Sequence, residues 1–415
     1  MRPVTAKQIL KRILALALLG IVLLACLAPS EYLLLPRAFE PPGRTAYRVA
    51  YLVTLPFRMV VASLIPQENH HWSVAHTTVL ALGAPFFFWA LFRAAHAAAG
   101  LLTRIVARPV ARRESNAADG CAVSQLPAHV GRREFLALAG TGCAAASLCG
   151  YAAFVEPARL CVRYYEVPIR NLTQEFDGLR IVHISDTHYG PFVSLRYLER
   201  IIARANSLSP DLVALTGDYV HRSIKAIEPG IEVFSGLRSR YGTVAVLGNH
   251  EHWEDATASR EALRRIGARL LDNDRVFVSS GGLSGTESRS DTLCLAGVGD
   301  LWEDAVSFDR ALGGVEGSIP RIVLSHNPDA AEMVGPRHRV DLMLAGHTHG
   351  GQIWLPGYGP LTHASQYGNK YIGGLCHGPY CPVIVSRGAG LAGVPLRFAV
   401  PPEIGVVTLR PLSHD

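Results

Sequence analysis

Six short apolar runs, at 180–185, 212–216, 243–247, 293–298, 322–325 and 342–345, each stop abruptly at a polar or glycine-bearing cluster. Runs of this length without polar alternation read as strands buried on both faces. Between the first two, residues 195–208 place Leu198, Ile201, Ile202 and Ala205 on one helical face, and 257–266 repeats the pattern with Leu263 and Ile266. Strand and helix in alternation predict a layered α/β fold. The tail differs, because 382–386 and 404–409 read as strands with no room for a helix between them. They predict antiparallel strands finishing a second sheet. The Gly/Ser-rich stretch 279–290 reads as a surface loop.

The residues that end these runs share one chemistry. They are Asp186-Thr187-His188, Gly217-Asp218, Gly248-Asn249-His250, His326, and Gly346-His347-Thr348-His349. Ligands of open α/β sheets gather beyond the carboxyl ends of the strands, so the five clusters converge on one site. A hydrolytic two-metal centre needs donors from several strands, one carboxylate able to bridge, and open positions for substrate and water. The set meets those needs with nitrogen and oxygen donors and no thiolate, a composition suited to Mn²⁺, Fe or Zn²⁺. His326 taken alone reads as a core or surface histidine; its place in the ordered series makes it a ligand candidate.

In order and spacing these clusters resemble the calcineurin-like metallophosphoesterase superfamily. The match continues through Gly350-Gly351-Gln352-Ile353, Ser386-Arg387-Gly388, Arg397-Phe398 and Pro401-Pro402-Glu403, and over about residues 160–410 it is similar to the membrane-anchored bacterial branch. The resemblance implies a two-sheet β-sandwich flanked by helices. It also implies two divalent metal ions, one held by Asp186, His188 and His349, the other by Asn249, His326 and His347, with Asp218 bridging. His250 then contacts phosphoryl oxygens and serves as general acid, while a hydroxide between the ions attacks phosphorus. Glu251 reads either as the group that orients His250 or as a solvated surface acid. His221 stands where the branch commonly has an acid, so support around Asp218 is expected to differ. His252 and Trp253 read as pocket or packing residues, and His363, Tyr367 and His377 as loop residues near the site. Arg387 reads as a strand cap or a phosphate contact.

Apolar stretches crowd the first 155 residues, at 13–28, 74–92 and 135–154, and predict two to three transmembrane helices before the α/β domain. The third follows Arg132-Arg133-Glu134-Phe135-Leu136 and reads as a twin-arginine signal or a stop-transfer helix. The connector 93–133 holds seven Arg, which keeps it cytoplasmic and sends residues 156–415 to the outer side of a bacterial inner membrane. Residues 46–65 contain Arg48, Pro56 and Arg58 and read as an interfacial segment. Residues 1–150 carry 15 Lys/Arg against 6 Asp/Glu and the remainder 25 against 28, so the basic excess lies away from the site and nucleic acid is excluded as a partner. Cys376 and Cys381 flank a turn-forming His-Gly-Pro-Tyr and could close a disulfide or remain free.

These readings make the chain a membrane-anchored phosphohydrolase that cleaves a phosphoester or pyrophosphate bond, with a phosphorylated small molecule or a lipid-linked compound as substrate. The alternatives are a phosphodiesterase for soluble nucleotides or sugar phosphates, and a non-catalytic metal-binding scaffold.

Overall fold

The computed structural model describes residue 143, residues 147–285 and residues 291–412. The expected spans at 13–28 and 74–92, the interfacial stretch, the Arg-rich connector and most of 135–146 lie outside the described residues.

Two sheets form the domain. The first holds β1 (Cys161–Ile169), β2 (Arg180–Ile184), β3 (Leu212–Thr216), β4 (Thr243–Val246), β5 (Arg269–Leu270) and, from the far end of the chain, β15 (Glu403–Pro411), in the order β1-β15-β2-β3-β4-β5. The second holds β6 (Asp274–Ser279), β7 (Gly282–Ser284), β8 (Leu293–Gly297), β9 (Arg321–Leu324), β10 (Leu342–Ala345), β13 (Gly374–His377) and β14 (Pro382–Val385), in the order β13-β14-β10-β9-β8-β6-β7. A small hairpin, β11 (Trp354–Leu355) with β12 (Gly359–Pro360), stands apart. All six apolar runs are strands. Those of the first sheet, β2, β3 and β4, run parallel, as do β8, β9 and β10 of the second. Each group therefore delivers its carboxyl ends to one edge.

Alternate side chains of the two sheets meet in a shared core that includes Ile181, Leu212, Val244, Leu295, Ile322, Leu344 and Ile384. The other face of the second sheet, with Phe277, Val323, Met343 and Val383, packs against Phe308 and Leu312 of a short helix, Phe308–Leu312. Of the longer helices, α1 (Leu195–Ser207) starts at Ser194, whose hydroxyl accepts from the Tyr197 N–H, and buries the predicted Leu198, Ile201, Ile202 and Ala205. Two further helices, α2 (Asn249–Glu254) and α3 (Ala256–Arg265), follow β4 without a loop between them beyond Asp255.

The tail departs from expectation. β14 joins the second sheet parallel to β10, whereas β15 enters the first, parallel to β1 and antiparallel to β2. The intervening residues cross from one sheet to the other, carrying the fully buried Arg397, so the two strands never pair. The 376–381 turn is a hairpin, but its register sets Cys376 opposite Val383, and both thiols are free. At the end of the third apolar segment the chain turns through Tyr151–Val155 and then Glu156–Ala158, Ala152 and Ala153 are buried, and the Ala152 carbonyl accepts from the Arg397 backbone N–H at 2.9 Å. Among the described residues no helix is long and apolar enough to cross a membrane.

Leu344 is fully buried between the sheets. Leu344→Ala is expected to lower unfolding free energy by about 2–5 kcal/mol, measured by urea denaturation. A loss under about 0.5 kcal/mol would mean that this core is not the one that holds the sheets together.

Candidate metal centre

The edge where the parallel strands end gathers the five clusters. Asp186 and His188 leave β2, Asp218 leaves β3, Asn249 and His250 open α2 just past β4, His326 leaves β9, and His347 and His349 leave β10. The chain turns sharply there. Asp186, His188, Asp218, His347 and His349 all have φ between 47° and 70°, a left-handed conformation that costs a residue with a Cβ on the order of 1–3 kcal/mol. Cross-loop backbone bonds hold the strained turns: Asp186 N–H to Gly217 O at 3.0 Å, His188 N–H to Asp218 O at 2.9 Å, and Gly346 N–H to His326 O at 2.9 Å. Gly217 is needed twice over, because its φ is 87° and a Cβ there would meet the Gly248 nitrogen at 2.5 Å.

The side chains form two foci. In one, His188 Nε2 lies 2.9 Å from His349 Nε2, which is 3.3 Å from Asp186 Oδ1. In the other, His326 Nε2 lies 3.1 Å from His347 Nδ1 and 3.2 Å from Asn249 Oδ1. Asp218 Oδ2 stands between them, 3.5 Å from His188 Nε2 and 3.3 Å from His326 Nε2. Each focus thus points several lone pairs at one spot, an arrangement that repels itself unless protons or cations intervene. Asp186, His188 and His349 form one set of candidate ligands, and Asp218, His326 and His347 another. All of the predicted site residues are brought together here and all are buried.

Electrostatics follow from that crowding. Burial alone would raise both Asp186 and Asp218, yet the imidazoles of His349 and His326 hold the two carboxyls below their ordinary range. Burial would lower His326, but Asp218 beside it raises the ring well above its usual value. His347 is pushed down to about 3 by burial and by neighbouring His326. Burial also lowers His250, leaving its ring neutral near pH 7.

Glu251 is neither a surface acid nor the partner of His250. It is fully buried, and its carboxylate accepts the backbone N–H groups of Asp218 and Tyr219 at 2.8 Å, Gly248 at 2.9 Å and Val220 at 3.3 Å. One side chain therefore ties the β3 exit to the start of α2. The signal was present in the sequence, since a Glu three residues past the helix-capping Gly248 is a capping-box pattern. Burial and the nearby Asp218 push its pKa up to about 8.

Other residues were missed or mislocated. Trp302 places its ring edge on His347, centroids 4.3 Å apart, while remaining partly exposed. Trp253 lies against His250 at 4.6 Å and donates its indole N–H to Glu303 at 2.7 Å, so it borders the site. Arg397 donates to the carbonyls of Arg387, Gly388, Gly390 and Val400 and approaches His349 Nδ1 at 3.3 Å. The Arg387 backbone N–H donates to Glu403 at 3.0 Å, and its guanidinium lies 4.0 Å from the same carboxylate. His363, Tyr367 and His377 are exposed and belong to none of the ligand groups. His221 is almost fully buried, its ring 4.9 Å from His250 and 5.4 Å from His188.

Removing the Glu251 carboxylate leaves several buried N–H groups unpaired, each costing about 1–3 kcal/mol. Glu251→Ala is therefore expected to lose more than about 3 kcal/mol of stability in urea, and near-native stability would return Glu251 to the surface.

Comparison with known proteins agrees with this geometry. A family model described as calcineurin-like phosphoesterase matches residues 179–351. The chain is 33% identical over 297 residues to an uncharacterized metallophosphoesterase, YkuE of Bacillus subtilis (strain 168), covering 67% of this chain and 97% of that protein. It is 31% identical over 292 residues to phosphodiesterase YaeI of Escherichia coli (strain K12), covering 68% and 99%. It is also 31% identical over 250 residues to a transmembrane protein with metallophosphoesterase domain of Danio rerio, covering 59% and 56%. Matches that run nearly the whole length of two relatives, with a family model that spans the residues of both foci, make this chain a member of the calcineurin-like metallophosphoesterase family and a metal-dependent phosphoesterase.

Proposed function

We propose that the chain is a membrane-anchored hydrolase that holds two divalent cations and cleaves a phosphoester or pyrophosphate bond of a lipid-linked substrate outside the cytoplasm. The observation that carries the two-cation reading is Asp218 Oδ2, which faces His188 on one side and His326 on the other. In this reading Asp186, His188 and His349 hold one ion, Asn249, His326 and His347 the other, and Asp218 both. The donor set suits Mn²⁺, Fe or Zn²⁺. Bound there, such ions supply Lewis-acid charge neutralisation and an activated water.

The protein's own groups do the rest. His250 has its backbone N–H anchored on Asp218 Oδ1 at 2.9 Å, which sets the ring beside the two foci. Its imidazole would donate to a phosphoryl oxygen. The anionic oxygen against the ring raises its basicity, so the ring takes a proton from solvent and, as imidazolium, can pass that proton to the departing alkoxide and return to the neutral form. A purely structural metal clip has no use for His250, which argues against a scaffold.

Two observations favour an apolar substrate near a membrane. Trp354, Tyr358 and Leu361 are exposed on the hairpin that follows His349, and Phe154 and Val155 are exposed at the end of the third apolar segment. We place the anchoring region at residues 1–155 and the catalytic domain at 156–415; the apolar segments of the first 155 residues support that division.

Two tests follow. With the purified full-length chain and Mn²⁺, His250→Ala is expected to slow cleavage of an aryl phosphodiester by about a hundredfold or more, and Asp218→Asn to abolish it; unchanged rates in both would sink the mechanism. The second is a pH dependence. His326, ordinarily near 6.5, is raised by Asp218, so its protonated form stabilises the metal-free chain fully below that value and the gain fades as pH rises through the raised one. A cation at His326 must expel this proton, so Mn²⁺ affinity is expected to strengthen by up to about tenfold per pH unit above neutrality, measured by calorimetry. Affinity independent of pH would contradict the ligand assignment.

A further inference from the structure

Beside the first focus, and sharing His188 with it, lies a third group of imidazoles, His188, His221 and His250, each with a ring nitrogen within 4.8 Å of the others. His221 has no role in the ligand scheme. It is 2% exposed, and neither of its ring nitrogens has a hydrogen-bonding partner among the described residues. The same holds for Nδ1 of His188 and of His250. A buried imidazole with both nitrogens unsatisfied is costly unless something that binds there completes it.

We propose that His221 is a substrate-contacting residue that donates a hydrogen bond to a phosphoryl oxygen, acting beside His250. The inference rests on the phosphohydrolase reading above. The ring is built into place: the His221 N–H bonds the Tyr189 carbonyl at 2.9 Å, and the Phe192 ring lies 5.9 Å away. Gly190 passes so close that a Cβ there would meet the His221 carbonyl at 2.6 Å. Loop and ring are thus held from both sides.

The composition of the trio selects an anion over a further cation. It contains no carboxylate, since Asp186 and Asp218 group with the other two sets. A third ion would share His188 with a neighbouring cation and have no negative ligand to offset their repulsion. An anionic phosphoryl oxygen, in contrast, is drawn by the two cations of the proposed centre and meets imidazole nitrogens that have no other partner among the described residues.

The test uses the full-length chain loaded with Mn²⁺ and inorganic phosphate as the probe. His221→Phe keeps the ring's bulk and removes both nitrogens, and His221→Gln returns a donor. The expected result is unchanged Mn²⁺ content, a phosphate dissociation constant raised about tenfold or more in His221→Phe, a parallel rise in KM for an aryl phosphodiester, and partial recovery in His221→Gln. Phosphate affinity within about twofold of wild type would reduce His221 to a core ring. Loss of Mn²⁺ in the Phe variant would make it a metal ligand, which equally overturns the proposal. Should the Phe variant melt early, His221→Leu is read in its place with the same outcomes. Wild-type chain that binds phosphate no better with Mn²⁺ than without it would sink the two-cation reading as well, so the two failures are distinguishable.

Discussion

One buried carboxylate organises the centre of this protein. Glu251 gathers backbone N–H groups from the β3 exit and from the start of α2, and so sets Asp218 against Asn249 and His250. Without it the exits of adjacent parallel strands would have to satisfy those donors separately, and the hydrogen bonds that tie the Asp218 loop to the start of α2 would be lost. The cost of burying the acid is met by its hydrogen bonds. It is also met by rigidity, because left-handed residues on three of the five loops keep their conformation only if the surroundings over-determine it.

The same logic explains why the site sits where two sheets share an edge. Parallel strands expose their carboxyl ends together, and two parallel groups packed through one core bring five such ends within reach of a few ångströms. The tail strengthens this edge. Arg397 collects four carbonyls beneath His349 and, through its own N–H, holds Ala152 at the end of the third apolar segment. A chain of direct contacts therefore runs from that segment to a residue of the first focus.

Much of this was legible in the residues. Apolar runs fix strand positions because a strand buried on both faces admits a polar residue only where it finds a partner, as His183 does in Thr216, and the helical face of α1 follows from its spacing alone. The eight site residues were legible for a related reason: a polar residue at the end of a buried strand has few places to go. What escaped was long-range. Whether β14 and β15 pair depends on how the segment carrying Arg397 crosses between sheets, and spacing does not encode that path. Trp302 acts at the site from a distant loop that no local pattern marks, and Arg397, though part of a motif, gave no sign that it would reach His349. Glu251 reads from the sequence as a partner of His250 or as a surface acid, and neither fits, because the four N–H groups it binds lie on two separate loops.

The central claim is that Asp218 lies between two cations. Anomalous diffraction from crystals of the Mn²⁺-loaded chain tests it directly. The account predicts two peaks about 3.5–4 Å apart with the Asp218 carboxylate touching both. A single peak, or a peak held by His188, His221 and His250, would contradict it.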